Sequence, residues 1–135
     1  MAKARRRAFA AAVALLCVAN GPANQDVPAP AHGGLPTAVD AGWHGARVCE
    51  VLIDNAAMRT ARCTFPPGGG HERHWHPRHW GYVLSDATMR ITTATGTVVR
   101  NLKAGDSWWS DGVDWHEAVN IGSTTGVYII VEPKG

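Results

Sequence analysis

Between positions 47 and 132 no apolar stripe repeats at helical spacing for as long as three turns. Short runs of strand composition fill this stretch instead, at 47–53, 58–65, 79–85, 88–93, 97–102, 106–110, 115–121 and 125–132. Turn-forming residues separate them: Asp54-Asn55-Ala56-Ala57, then Pro66-Pro67-Gly68-Gly69-Gly70, Ser85-Asp86-Ala87, the vicinity of Gly96, and Asp111-Gly112. Many short strands at regular spacing predict an all-β fold, a sandwich or a barrel. With 135 residues there is room for one such domain and not two.

The first residues read as a targeting segment. Lys3, Arg5, Arg6 and Arg7 precede an uncharged, apolar run from Ala8 to Ala19. A basic region followed by an apolar run of this length is the pattern of a secretory signal peptide, too short to span a bilayer. Cleavage after Ala23 fits the small residues of Gly21-Pro22-Ala23. Positions 1–23 are thus expected to be removed on export to the periplasm or the medium. Positions 24–42, rich in Pro, Ala and Gly, read as a flexible arm, and 43–135 as the packed domain. Without the four basic residues of the targeting segment, nine basic and 11 acidic residues remain, a net charge of −2. No basic patch is left to argue for nucleic acid or for an anionic membrane surface.

Two cysteines, Cys49 and Cys63, stay in the exported chain. A hairpin loop over 55–57 would set Asp54 opposite Met58, Ile53 opposite Arg59 and Cys49 opposite Cys63. Cross-strand Cβ atoms lie about 4.5–5.5 Å apart. An oxidising compartment permits a disulfide there, and two buried free thiols are the alternative.

Four of the seven histidines fall in nine residues, at His71, His74, His76 and His79. Side chains two apart on a strand share a face, so His74 and His76 can meet one ion. Pro77 interrupts the ladder, and a bulge there could aim His79 at the same point. His116 would join from a strand forty residues on. The expected ligands are therefore His74, His76, His116 and His79. His71, placed before the strand, is expected outside the set, and His32 and His44 have no supporting context.

These segments resemble the two-part signature of the cupins. Gly68 to Asp86 resembles the first part, with His74 and His76 in the paired positions. His79-Trp80-Gly81-Tyr82-Val83-Leu84 is similar to the stretch that in the family starts with a metal-binding Glu, so His79 stands where that Glu would be. Gly105, Asp106, His116 and Asn120 resemble the second part, although Asp111 replaces a Pro, and Val113 and Asp86 each replace a Gly. The resemblance runs from about Val51 to the C-terminus. It implies a jelly-roll β-barrel, one bound metal, and a family in which homodimers are common. Four neutral imidazoles would leave the ion's charge uncompensated and a bound water more acidic. Three would leave open positions, as catalytic sites do. Imidazole ligands suit Fe, Zn, Cu or Ni better than Mn or Mg.

Trp75, Trp80, Trp108, Trp109 and Trp115 flank the proposed site in sequence. Alternation turns Trp75 and Trp115 away from the histidines, and lets one of Trp108 and Trp109 face the interior. Acid–base candidates near the site are few: Glu72, Asp111, Asp114 and Glu117. No nucleophile elbow, phosphate loop or dinucleotide fingerprint is present. Three classes remain. One is a metal-dependent enzyme acting on a small molecule, of oxygenase, hydrolase or isomerase type. The second is a non-catalytic module that binds a small ligand or senses metal. In the third the metal only staples the fold. A β-barrel by itself does not select among them.

Overall fold

The computed structural model describes residues 31–135. The targeting segment and the start of the arm lie outside the described residues. Eleven strands follow a turn at Ala31–Gly34: β1 (Gly42–Trp43), β2 (Ala46–Arg47), β3 (Cys49–Asp54), β4 (Met58–Phe65), β5 (Gly70–His76), β6 (His79–Ser85), β7 (Ala87–Thr93), β8 (Gly96–Leu102), β9 (Ser107–Ser110), β10 (Val113–Asn120) and β11 (Gly126–Pro133). A five-stranded sheet runs β3-β4-β11-β6-β9, a four-stranded sheet β5-β10-β7-β8, and β1-β2 form a small ribbon. The pairs within these sheets are antiparallel.

The two sheets enclose one interior because their strands alternate. β11 shows it most cleanly: Gly126, Tyr128, Ile130 and Glu132 are buried, and the residues between them are half-exposed. β6 buries His79, Gly81 and Val83 in the same way. Phe65, Val83 and Met89 are among the most completely buried side chains, and each such burial contributes about 1.5–3 kcal/mol. Cys49 and Cys63 are cross-strand partners and form a disulfide in this core. Asn120, fully buried, donates to the carbonyls of Phe65 (2.8 Å) and Thr124 (2.7 Å) and accepts from the Gly122 amide (3.0 Å). It thereby ties the end of β10 to the turns around it.

Three details differ from expectation. First, the β3–β4 hairpin is one residue out of the expected register at its tip: Asp54 faces Arg59 and Ile53 faces Thr60. A bulge between Val51 and Ile53 absorbs the slip, so Cys49 still meets Cys63. The Asn55 side chain closes the turn by accepting from the Ala57 and Met58 amides. Second, the packed domain begins before Trp43, and the stretch after Ala31 is not a free arm. Thr37 bridges to Trp75, and Ala38, Val39 and Ala41 are buried. Small apolar residues within a Pro- and Gly-rich stretch still bury surface when a sheet edge is available. Third, no bulge within one strand aims His79. The chain leaves the four-stranded sheet at His76, passes Pro77 and Arg78, and enters the five-stranded sheet at His79.

Candidate metal centre

His74 and His76 share the inner face of β5 as period-two neighbours, and both are buried. His116 on β10 is paired directly with His74, at a point where the β5–β10 register shifts on either side. That irregularity brings a third ring to the same point. The Nε2 atoms of the three lie 3.0 Å (His74–His76), 3.1 Å (His76–His116) and 2.9 Å (His116–His74) apart.

These contacts are not a hydrogen-bonded ring. His74 Nδ1 lies 2.6 Å from the Glu72 carbonyl, so it carries the ring proton and donates it there. Its Nε2 then offers a lone pair toward two other nitrogens. Burial pushes the imidazoles well below their ordinary value, to about 4 for His74 and about 2 for His76 and His116, with neighbouring histidines adding to the depression in the last two. All three are neutral at neutral pH, the state that binds a cation. Metal–imidazole bonds are about 2.0–2.1 Å long. Ligands at right angles on such bonds stand about 3.0 Å apart, and tetrahedral ones about 3.4 Å. The spacing observed is close enough for all three nitrogens to reach one ion. The donor set therefore fits a transition metal held by His74, His76 and His116.

His79 does not join this group. It is buried, its ring is tilted against that of His76 at 4.5 Å between centroids, and its Nδ1 meets the Pro77 carbonyl at 2.9 Å. Arriving from the other sheet, it lies beside the trio. His71 is also outside the trio, though it does not precede the strand. It is the second residue of β5, buried, with its ring 3.8 Å from that of His74 and its pKa lowered to about 3, chiefly by burial. His32 stacks on Trp75, and the His44 amide donates to Glu72.

The histidines sit in a cavity of about 510 Å³ between the sheets. Phe65, Ile91, Leu102, Trp108, Tyr128 and Ile130 supply much of its apolar wall. Trp108 is thus the inward member of its pair, and Trp109 is exposed and donates to Asp111. Trp75 and Trp115 point away from the site, as alternation requires, and Arg73 caps the Trp115 ring at 3.9 Å. Of the acid–base candidates read from sequence, none lines the cavity. Glu72 serves His44, Asp111 serves Trp109, and Asp114 is 97 % exposed. The polar groups other than histidine that do line it are Arg100, Asp106, Ser107, Ser110 and Tyr128. Burial raises the Tyr128 phenol well above its ordinary value, so it stays protonated.

A barrel of two antiparallel sheets with a histidine trio inside defines a cupin-type double-stranded β-helix. The Cupin domain family matches residues 61–132, more than half of the chain, and the chain belongs to that family. No curated protein matches it. Among solved structures it is similar to a cupin domain from Bordetella pertussis, with 24 % identity and a TM-score of 0.62 over 75 % of this chain and 97 % of that one. It is also similar to an uncharacterized conserved protein with a double-stranded β-helix domain from Klebsiella pneumoniae (23 %, TM-score 0.55, 68 % and 81 % covered). An RmlC-like cupin family protein from Methanocaldococcus jannaschii matches with 17 % identity and a TM-score of 0.56, over 64 % and 79 % of the two chains. At these identities the likeness establishes the fold.

Proposed function

We propose that this chain is an exported metal-dependent enzyme that acts on a small molecule inside the barrel, with chemistry of the oxygenase, hydrolase or isomerase type. The observation that carries the reading is the convergence of three neutral Nε2 atoms, 2.9–3.1 Å apart, in a cavity large enough for a ligand. A metal on His74, His76 and His116 would supply Lewis acidity, an activated water, or redox chemistry if it is Fe or Cu. The chain's own residues supply the rest. The apolar wall excludes water, Tyr128 offers a phenol proton for a hydrogen bond to a ligand, and Arg100 and Asp106 give the cavity one charge of each sign.

A second reading is a non-catalytic module that binds a small ligand or senses metal. The shortage of acid–base groups favours it, since Asp106 is the one carboxylate lining the cavity among the described residues. The Cys49–Cys63 disulfide supports the export part of the proposal, because such bonds persist in oxidising compartments.

Elemental analysis of the protein purified from its native compartment tests the site. One tight transition-metal ion per chain is expected, and none in the double variant His74→Ala/His76→Ala. A stoichiometric ion retained by that variant overturns the assignment. Oxygen-uptake screening of the loaded protein, and a metal spectrum that responds to small ligands, separate the enzyme from the binding module. N-terminal sequencing of the exported chain tests processing near Ala23.

A further inference from the structure

One carboxylate is buried beside the histidine trio and has no part in the reading above. Glu132 lies on β11, 3 % exposed, and its cross-strand neighbour is Arg59 on β4. Arg59 directs two of its guanidinium nitrogens at a single oxygen. Nε and Nη2 each lie 2.7 Å from Glu132 Oε2. The other oxygen, Oε1, is buried without a hydrogen-bond partner among the described residues. So is Nδ1 of His76, and the two face each other at 3.7 Å. His76 Nε2 points the other way, at His74 and His116.

Two orphaned polar atoms in a core are costly. A donor-capable nitrogen and an acceptor oxygen that face each other slightly beyond bonding distance are a pair waiting to close. From the Arg59–Glu132–His76 arrangement we infer that Glu132 is a positioning residue for the metal centre. It accepts the Nδ1 proton of His76 when Nε2 takes up the ion. Closing that bond fixes the His76 tautomer with its lone pair toward the metal, sets the ring's orientation, and makes the imidazole a stronger ligand. Arg59 keeps the carboxylate turned so that Oε1 remains free for His76. Glu132 also brings a negative charge close to a centre whose ligands are all neutral. His74 is served differently: its Nδ1–H donates to the Glu72 carbonyl, a backbone group that substitution cannot remove. Glu132 is thus the side chain through which the fold can tune this site.

This inference rests on the metal reading proposed above, and the experiment separates the two. Zinc(II) affinity is measured by chelator competition for the wild-type chain, Glu132→Gln and Glu132→Ala, with folding followed by circular dichroism. Loss of the carboxylate in Glu132→Ala is expected to weaken zinc about 10–100-fold. Glu132→Gln retains an acceptor oxygen and is expected to fall between it and the wild type. In the zinc-loaded wild type, proton–nitrogen NMR is expected to show a protonated, slowly exchanging His76 Nδ1, and the signal should move in Glu132→Gln. A purely structural ion pair would lower stability in both variants and leave zinc affinity and the His76 signal unchanged. Affinity within about twofold of wild type in folded Glu132→Ala overturns the inference. So does an unprotonated or metal-bound Nδ1 in the wild type, which decides the question even if Glu132→Ala does not fold. If the wild type binds no zinc or other transition metal, the metal reading itself fails.

Discussion

β10 and its neighbours carry two buried polar clusters, and they are finished differently. At the far end of β10 the amide of Asn120 is fully buried and makes three hydrogen bonds, to two carbonyls and one amide. Toward the cavity, His71, His76 and Glu132 each retain a buried polar atom without a partner. Burying an unpaired polar group costs about 1–3 kcal/mol. The Asn120 cluster is closed within the chain, whereas the histidine cluster keeps a buried donor and acceptor unpaired and could hold a metal ion. The comparison therefore sets a structural amide against a cluster that a ligand could complete. The contrast fails if the two clusters respond alike to acid, substitution or metal.

Acid should produce the largest difference. Unfolded histidines take up protons near pH 6.5, whereas burial holds His71 to about 3, His74 to about 4, and His76 and His116 to about 2. Between these limits the unfolded chain binds more protons than the folded one, so stability falls as pH falls. Each histidine so held contributes about 1.4 kcal/mol per pH unit to the slope. The chelated protein should therefore keep its full stability above about pH 6.5 and lose most of it on the way to about pH 4. Urea unfolding across this range checks the slope. His74→Leu/His76→Leu should flatten it. An undiminished slope in that variant would place the acid sensitivity elsewhere and break the contrast.

Asn120→Ala comes next in size. It strands two carbonyls and an amide, and should cost about 3 kcal/mol. Because the lost bonds hold turns and not ligands, zinc affinity should not change. A large loss of affinity in a variant that still folds would show that the two ends of the barrel are one unit.

How far these clusters could be read in advance follows from the sequence distance of each contact. The strands were legible because alternation is local: 58–65 and 79–85 are predicted and found as β4 and β6. His74 and His76 were legible for the same reason, and His116 through its spacing in the second signature segment. His79 fell in a family ligand position, and the crossover at Pro77 and Arg78 brings it in from the opposite sheet, beside the trio with its ring 4.5 Å from that of His76. The hairpin slip at Val51–Ile53 was hidden because a bulge has no pattern in a run of apolar residues. Glu132 was the hardest to see. It sits in an ordinary alternating strand, and only sheet closure brings it to His76. Ala38, Val39 and Ala41 carry no strand signal because their surroundings are Pro- and Gly-rich, and their burial depends on the edge they meet.

The smallest of these effects concerns the cavity wall and not its ligands. Gly81 on β6 pairs with Trp108 on β9, and the indole lies across the glycine. A Cβ at Gly81 would fall 2.2 Å from one ring carbon of Trp108 and 2.3 and 2.5 Å from two others. A glycine inside a strand often marks such a close approach. Gly81→Ala must displace the indole, an overpacking that costs about 1–3 kcal/mol, here expected at the lower end because Trp108 is only partly buried. Zinc affinity should stay within about twofold, since no ligand moves. The cavity beside the ion should change shape, so small-molecule effects on the metal spectrum should weaken while the ion is retained. If Gly81→Ala instead releases the metal, the apolar wall and the histidine trio cannot be treated as separable. The distinction between a cluster that supports the barrel and a cluster that awaits a ligand would then have to be drawn around Trp108 as well.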